Sequence, residues 1–338
     1  MARTSEEKIT ATKKRKNVSS FPLEDLPDEI ILTIFSFLDK KDLNLASLVS
    51  KRTYNISQDC SLWLKINFYK KKLTTALLEK VLINGCKYLS LQHARLEGNI
   101  RLKKPTSLKS LDISNCDANQ GVLDEILASC YSLEKLCLID FNLESININD
   151  MTALNGQTLQ VLNMINCRGL NLDRIKPLID NCVQLKELNV RDRANSKTIF
   201  PHITKEAVDY LIKNLTPNIE QLSLGNLDYL IGDNEIKILV GRCKNLNSLY
   251  LRKTNIGNDS MMAIVNHLKD TLVNLSVEET YISSFSLREL KSISKLKILK
   301  CNGKDTDDLD HLRKLLPNVA INVKGAYFTI ASSAIQTV

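Results

Sequence analysis

The residue types that carry most enzymatic and metal chemistry are present, but their spacing argues against both kinds of site. The nine cysteines form no CxxC pair, and the four histidines, His93, His202, His267 and His311, are scattered along the chain. A zinc site would need such residues in closely spaced pairs. No GxSxG, GxxxxGK, HExxH or GxGxxG motif occurs. We therefore predict no catalytic residue, no metal site, no cofactor and no enzymatic activity of the chain's own.

The cysteines instead follow a repeated apolar pattern, LxxLxLxx, that accounts for most of the chain. Its copies begin at residues 108, 133, 159, 185, 219, 246, 272 and 296, with a degenerate ninth at 319 and a weaker start at 89. Seven of the eight intervals from 108 to 319 fall within 20–29 residues, the length of a leucine-rich repeat. Four cysteines each lie three residues before a first apolar position: Cys86, Cys130, Cys182 and Cys243.

The repeat predicts an α/β leucine-rich repeat solenoid, a horseshoe with parallel strands on the concave face and helices outside. Each unit would be a short strand followed by a helix, as at residues 121–130, 234–243 and 259–268. One unit cannot bury its apolar side alone, whereas stacked units share one core. The single 34-residue interval, from 185 to 219, predicts an inserted loop at 191–202 on the exit side of its strand.

Residues 21–68 break the repeat pattern and predict a small three-helix module. Leu26 and Pro27 open it, and apolar residues then recur at helical spacing through Leu38 in two adjacent stripes. The late pair Leu62 and Trp63 contains the only tryptophan of the chain. The opening LPxE, the IFxxL and the late LW resemble an F-box, with a helical cap on the solenoid as the alternative interpretation.

An F-box followed by cysteine-containing leucine-rich repeats resembles the family of F-box/leucine-rich-repeat proteins over roughly residues 21–335. The resemblance implies a substrate-recognition subunit of an SCF-type (adaptor–cullin–F-box) ubiquitin ligase, whose F-box binds the adaptor and, through it, the cullin and RING subunits. The alternative function is a repeat scaffold or inhibitor without a ligase role. Residues implied to face the adaptor, some of which must instead hold the F-box together, are Leu26, Pro27, Ile30, Ile31, Ile34, Phe35, Leu38, Leu43, Val49 and Trp63.

The repeats would hold a protein substrate, phosphorylated or not, for ubiquitination and proteasomal degradation. The x residues on or just after the later strands are expected to project outward and bind it: Arg191, Tyr250, Arg252, Glu278, Lys300 and Asn302. A relative in the family implies cell-cycle substrates and a cyclin-dependent-kinase regulatory subunit as a further partner. At the places that read its phosphorylated degron this chain holds Asp192, Lys253 and Glu279, of different chemistry.

The ends of the chain differ from its middle. The net charge of +8 is partly local, because residues 1–20 are basic and contain Lys13, Lys14, Arg15 and Lys16, a candidate nuclear-import signal. We expect this segment to be disordered and the protein to be nuclear and cytoplasmic, without nucleic acid or membrane as a partner.

Residues 69–107 are predicted to be a linker with a degenerate first repeat, and residues 108–325 are predicted to be the repeats. The uncharged tail, 326–338, is predicted to leave the last repeat and lie across the concave strands, where it shields the region of Ile139 and Ile165 or stops partway towards it.

Overall fold

The computed structural model describes residues 25–192, 203–302 and 306–322, and it divides the protein into two compact units, Met1–Leu62 and Trp63–Val338. Three predictions lie outside the described residues: the basic segment at 13–16, most of the 191–202 loop, and the 326–338 tail.

Three short helices make up the described part of the N-terminal unit. They are α1 (Asp28–Ser36), α2 (Lys40–Ser47) and α3 (Lys51–Ser57). The side chain of Asp39 caps α2 by accepting two hydrogen bonds of 2.8 Å from amides of the first turn. Ser50 caps α3 in a reciprocal capping box. Polar caps therefore fix the start of the second and third helices, which confirms a helical module ahead of the repeats.

A parallel sheet is the framework of the second unit, and its strand order follows the chain order. Within the described residues it has eleven strands: β1 (Lys65–Asn67), β3 (Tyr88–Ser90), β5 (Ser110–Asp112), β6 (Lys135–Cys137), β7 (Val161–Asn163), β8 (Glu187–Asn189), β9 (Gln221–Ser223), β11 (Ser248–Tyr250), β13 (Asn274–Ser276), β14 (Ile298–Lys300) and β15 (Ala320–Ile321). Two small parallel pairs lie beside it: β2 (Lys72–Thr74) with β4 (Arg95–Glu97), and β10 (Asp228–Gly232) with β12 (Thr254–Asn255).

One row of leucines and isoleucines holds the sheet to the core. Each strand of the main sheet from β1 to β14 has one at its centre, from Ile66 to Leu299, and these residues face one another in register. Every residue of the row is at most 2% exposed. The residues on either side of each central leucine point to the opposite face of the sheet, which the repeat architecture makes the concave one.

Helices follow most of the strands, and their apolar side chains complete the core. They are α4 (Thr75–Ile83), α5 (Gln120–Ala128), α6 (Ile148–Asn155), α7 (Leu172–Asn181), α8 (Lys205–Asn214), α9 (Asp233–Arg242), α10 (Asn258–Leu268), α11 (Ser284–Leu287) and α12 (Thr306–Leu315). The three helices predicted from the sequence correspond to α5, α9 and α10, and each begins one residue earlier than predicted. The leucine-rich repeat fold is thereby confirmed.

Side chains of one repeat cap the start of the helix in the next repeat. Gly257 precedes α10 and has no side chain to cap it, so Asp233 at the start of α9 does so from the preceding repeat. Its Oδ1 accepts hydrogen bonds from the amides of Gly257, at 2.8 Å, and Ser260, at 3.1 Å, and from the Ser260 hydroxyl. Asn258 in turn accepts from the amide of Ser283, before α11, at 2.9 Å. Neighbouring repeats are thus joined by capping as well as by their shared core.

The first strand of the sheet lies earlier than the sequence pattern suggested. Lys65–Asn67, which the repeat pattern did not identify, pairs in parallel with Tyr88–Ser90. Ile66 is its one buried residue, and both neighbours are exposed, so the strand carries too little apolar pattern to detect. None of the helices in the part of the chain that the structure describes is long and apolar enough to cross a membrane.

Candidate functional site

Two apolar stripes run along α1, and they have opposite environments. Ile31 and Phe35 are 1% and 3% exposed and form the buried stripe. Ile30, Ile34 and Phe37 are spaced by four and three residues, and they are 47%, 40% and 84% exposed. Residues at this spacing share one helix face. The first helix therefore presents an apolar stripe that the described residues leave uncovered.

A second exposed apolar group lies at the end of α2 and in the turn to α3. Leu45, Leu48 and Val49 are 55%, 75% and 73% exposed, although the adjacent Leu43 is completely buried. Together with the exposed stripe of α1, these residues make up what we call the apolar surface of the N-terminal unit: Ile30, Ile34, Phe37, Leu45, Leu48 and Val49. Large apolar side chains exposed together on a small module indicate a surface that binds a partner.

A guanidinium holds the helices behind this surface in place. Arg52 in α3 lies 2.5 Å from the carboxylate of Asp28 at the start of α1, and it also donates a 2.6 Å hydrogen bond to the carbonyl oxygen of Leu26. The pair is partly exposed, so its contribution to stability is small, but it fixes the start of α1 against α3. Arg52 therefore holds the segment Leu26–Pro27, which leads into α1, against α3.

The structure separates the ten residues predicted to face the adaptor into three groups. Four are buried: Ile31, Phe35, Leu43 and Trp63. Two are half-buried, Leu26 and Leu38, and four are exposed, Pro27, Ile30, Ile34 and Val49. The buried residues serve the protein's own core and are not accessible to a partner. Phe37, Leu45 and Leu48 are exposed residues that the sequence prediction missed, although Phe37 continues the spacing of Ile30 and Ile34.

The residues predicted to bind substrate also divide by environment. Arg191, Arg252 and Asn302 are exposed, and Glu278 and Lys300 are half-buried. Tyr250 differs from the expectation of an outward side chain, because it is only 7% exposed, and burial raises its pKa to about 12. Tyr250 therefore contributes a neutral, packed ring to the concave side of β11 and not an exposed contact.

Two of the exposed candidates already have partners within the repeats. Arg252 donates to the carboxylate of Glu279, with 3.0 Å between Arg252 Nε and Glu279 Oε1. Asn302 accepts a hydrogen bond from the amide of Glu279 and donates a 2.8 Å hydrogen bond to the carbonyl of Thr280. Asn302 thus ties successive repeats together, and its amide has little capacity left for a substrate.

The three positions that depart from the relative's degron-reading residues lie at the exit edge of the sheet. Lys253 and Glu279 adopt left-handed backbone conformations, with φ of 54° and 56°, and Asp192 is 8% exposed. Lys253 Nζ lies 3.6 Å from the carboxylate of Asp228. A cleft of about 470 Å³ opens here and is lined in part by Tyr229, Lys253 and Glu279. Lys253 and Glu279 are thus each paired with a side chain of opposite charge, Asp228 and Arg252 respectively.

The environments of most of the cysteines indicate a structural role. All nine are reduced, and only Cys60 is exposed. Burial raises the pKa of Cys137 and of Cys167 to about 12, so neither forms a thiolate near neutral pH. Among the described residues, no group of three or more histidine, cysteine, aspartate or glutamate side chains is arranged to hold a metal ion.

Comparison with known proteins identifies both units. The family model described as SKP2 LRR domain matches residues 76–337, and the model described as F-box-like matches residues 23–69. Among solved structures, the chain is similar to one in the crystal structure of the Rad7 and Elc1 complex in yeast, with 16% identity, 87% of this chain and 92% of that chain covered, and a TM-score of 0.48. The tropomodulin C-terminal domain of Caenorhabditis elegans has 16% identity, with 43% and 89% covered, and a TM-score of 0.34.

Proposed function

Because the chain belongs to the SKP2 leucine-rich-repeat family and carries an F-box-like domain ahead of its repeats, we propose that it is the substrate-recognition subunit of an SCF-type ubiquitin ligase. The F-box would bind the small adaptor and, through it, the cullin and RING subunits. The repeats would hold a protein substrate. The chain itself would form and break no bonds, and its contribution would be proximity of substrate lysines to the ubiquitin thioester.

The observation that carries this proposal is the apolar surface of the N-terminal unit. Leu48 is three-quarters exposed, and burying a whole leucine side chain is worth about 1.5–3 kcal/mol. An interface that covered Leu48 would therefore gain about 1–2 kcal/mol from this residue alone. The six side chains of the surface could together supply the apolar centre of a stable adaptor interface.

A substitution on this surface tests the proposal without disturbing the core. Leu48→Asp places a carboxylate in the interface, where an unpaired charge costs about 3 kcal/mol or more, and adaptor binding should weaken at least ~100-fold. Val49→Asp should act similarly. Phe35→Asp is unsuitable, because Phe35 is 3% exposed and its replacement would unfold the module. Adaptor affinity is measured by surface plasmon resonance with the purified full-length chain.

Ile83→Asp is the matched control, because Ile83 is an apolar residue of α4 that is 67% exposed in the repeat unit. It introduces the same charge on an exposed site and should bind the adaptor like the native chain. Affinity purification with mass spectrometry should then recover adaptor and cullin with the native chain and with Ile83→Asp only. If Leu48→Asp and Val49→Asp retained native adaptor binding, the scaffold without a ligase role would be the better description.

The finer features of the proposal concern the substrate. We expect the degron to be read differently from that of the relative, since Lys253 and Glu279 here are paired with Asp228 and Arg252. Cell-cycle substrates and an accessory cyclin-dependent-kinase regulatory subunit are supported only by the family relationship. The basic run at 13–16 supports partly nuclear localisation, which replacing its four residues by alanine in a fluorescent fusion would test.

A further inference from the structure

Positive charge is concentrated at the start of the repeat unit. Residues 63–109 contain eleven lysines and arginines but only two glutamates and no aspartate. This stretch therefore carries a net charge of +9, whereas the whole chain carries +8. Eight of the eleven basic side chains are exposed. Such an uneven distribution of charge creates a local positive potential, which attracts anionic partners.

Four of these lysines lie around the first two strands of the sheet. Lys65 is beside the one buried residue of β1 and is exposed, so its side chain is on the concave face. Tyr88, its register partner on β3, is 37% exposed, and the half-buried Lys87 precedes it. Lys70 and Lys71 follow the end of β1, and both are exposed.

Aromatic rings lie among these lysines. The rings of Tyr69 and His93 meet edge to face with their centres 5.6 Å apart, and Lys70 Nζ is 5.0 Å from the centre of the Tyr69 ring. The amide of Lys70 donates a 3.0 Å hydrogen bond to the carbonyl oxygen of Gln92, so the exit ends of β1 and β3 lie side by side. We call the lysines and rings around these two strands the basic surface: Lys65, Tyr69, Lys70, Lys71, Lys87, Tyr88 and His93.

The lysines of the basic surface are available to a partner. Within the part of the chain that the structure describes, none of the four forms an ion pair, and all four are exposed or half-buried. Lysines just outside the surface are paired, with Lys72 Nζ 3.0 Å from the carboxylate of Glu97 and Lys109 Nζ 2.6 Å from that of Glu134. An open surface with uncompensated positive charge favours an anionic ligand.

The surroundings of the basic surface limit the kind of anion. On β5, the next strand, Asp112 lies on the concave face, and a nucleic-acid backbone that continued across the sheet would bring its phosphates towards that carboxylate. The basic surface contains no arginine, the residue whose planar fork suits phosphate best. The nearby Arg95 lies 3.7 Å from Glu97 and 3.5 Å from Asp117. A surface of lysines two strands wide therefore suits a few carboxylates better than a chain of phosphates.

We propose that the basic surface binds a short segment of a protein partner that is rich in aspartate and glutamate. The carboxylates would pair with the four lysines, and the two tyrosine rings would pack against the backbone and methylene groups of the segment. About five extended residues span roughly 16 Å, which is longer than a three-residue strand. Exposed charge pairs steer association and set orientation more than they add affinity. The partner would be the substrate, and this identification rests on the proposed function.

Binding of a labelled acidic peptide to the purified full-length chain tests the surface. The probe is a fluorescein-labelled peptide with a run of alternating glutamates and aspartates between Gly-Ser flanks, and the comparison peptide carries glutamine and asparagine instead. Fluorescence anisotropy should show at least ~10-fold tighter binding of the acidic peptide. Raising the salt from ~50 mM to ~200 mM should weaken that binding at least ~3-fold, because exposed charge pairs are screened.

The combined substitution Lys65→Gln, Lys70→Gln and Lys71→Gln should weaken binding of the acidic peptide at least ~10-fold, since each exposed pair contributes roughly 2–5-fold. Circular dichroism and the urea midpoint show whether this variant is folded. A second variant with arginine at the same three positions keeps the charge and should bind the acidic peptide like the native chain. Loss of binding in a folded arginine variant would show that charge is not the cause and would overturn the proposal.

A matched control removes the same charge from later repeats. Lys213, Lys244 and Lys269 are exposed and form no ion pair with any described residue, and replacing all three by glutamine should leave binding within ~2-fold of native. Equal losses in the two glutamine variants, or equal binding of the acidic and neutral peptides, would overturn the proposal. Tighter binding of a phosphoserine peptide or a single-stranded oligothymidylate of equal net charge would also do so. The adaptor is absent from these assays, so acidic-peptide binding by a chain that fails to bind the adaptor would support the surface and refute only the ligase role.

Discussion

The cap that Asp233 provides to the following repeat should contribute more to stability than any exposed carboxylate of the repeat unit. Asp233→Ala removes the acceptor used by the amides of Gly257 and Ser260 and by the hydroxyl of Ser260. Ser260 is completely buried, so water cannot replace the lost acceptor for its two donors. Each buried donor left unsatisfied costs about 1–3 kcal/mol. We therefore expect Asp233→Ala to lower the free energy of unfolding by about 2–4 kcal/mol.

Asp259→Ala is the matched control, since Asp259 lies in the first turn of the next helix. Its carboxylate is exposed and pairs with Lys237 at 2.6 Å, and an ion pair in contact with water contributes little to stability. The free energies of unfolding of both variants are measured in urea, with circular dichroism as the signal, and compared at equal m-values. If Asp233→Ala were no more destabilising than Asp259→Ala, capping between repeats would not be a significant source of stability.

Acid provides an independent check on the same carboxylate. Burial of Asp233 raises its pKa, but the Ser260 hydroxyl and the amides of Gly257 and Ser260 outweigh burial and hold the pKa below its ordinary value of 3.8. A carboxylate whose pKa is lower in the folded state than in the unfolded state stabilises the folded protein fully when the pH is above the unfolded-state pKa. This stabilisation is lost as the pH falls through the folded-state pKa. The difference between the native chain and Asp233→Ala should therefore be constant near neutral pH and narrow below pH 3.8.

Three further substitutions or reactions should behave as the structure dictates. Gly156→Ala should lower the free energy of unfolding by about 1–3 kcal/mol in urea, because a Cβ there would lie 2.6 Å from the carbonyl oxygen of Asn181. Phe35→Ala should destabilise the N-terminal helices by about 3–5 kcal/mol, and Phe37→Ala, at an 84% exposed site, by under ~0.5 kcal/mol; hydrogen exchange of those helices distinguishes them. A thiol reagent at pH ~8 should modify the exposed Cys60 rapidly and the seven buried cysteines only on unfolding.

The sequence pattern identified the repeats because a leucine at each strand centre is required by the shared core. Leu111, Leu136 and Leu249 are all completely buried, and no polar residue could replace them without a large loss of stability. Helix ends were predicted to within a residue or two for the same reason. The strand at Lys65–Asn67 escaped detection since only Ile66 faces the core.

The functional surfaces were less predictable, because periodicity shows which residues share a face of a helix or strand but not what packs against that face. Ile30 and Ile31 belong to two equally apolar stripes of α1, and only the packing of the helices decides which stripe is buried. Tyr250 occupies a position that points away from the core row, yet its ring is covered.

The order of the strands has a mechanical consequence. Because the sheet follows the chain order from β1 to β15, each repeat is bound mainly to the one before it and the one after it. A force applied between the chain ends would therefore detach repeats in succession from the ends. A repeat of 26 residues, such as that between 133 and 159, would release roughly 85–90 Å of extended chain at each event. A partner lying across several strands would join units that are otherwise linked only in series, and single-molecule pulling would detect it as merged events.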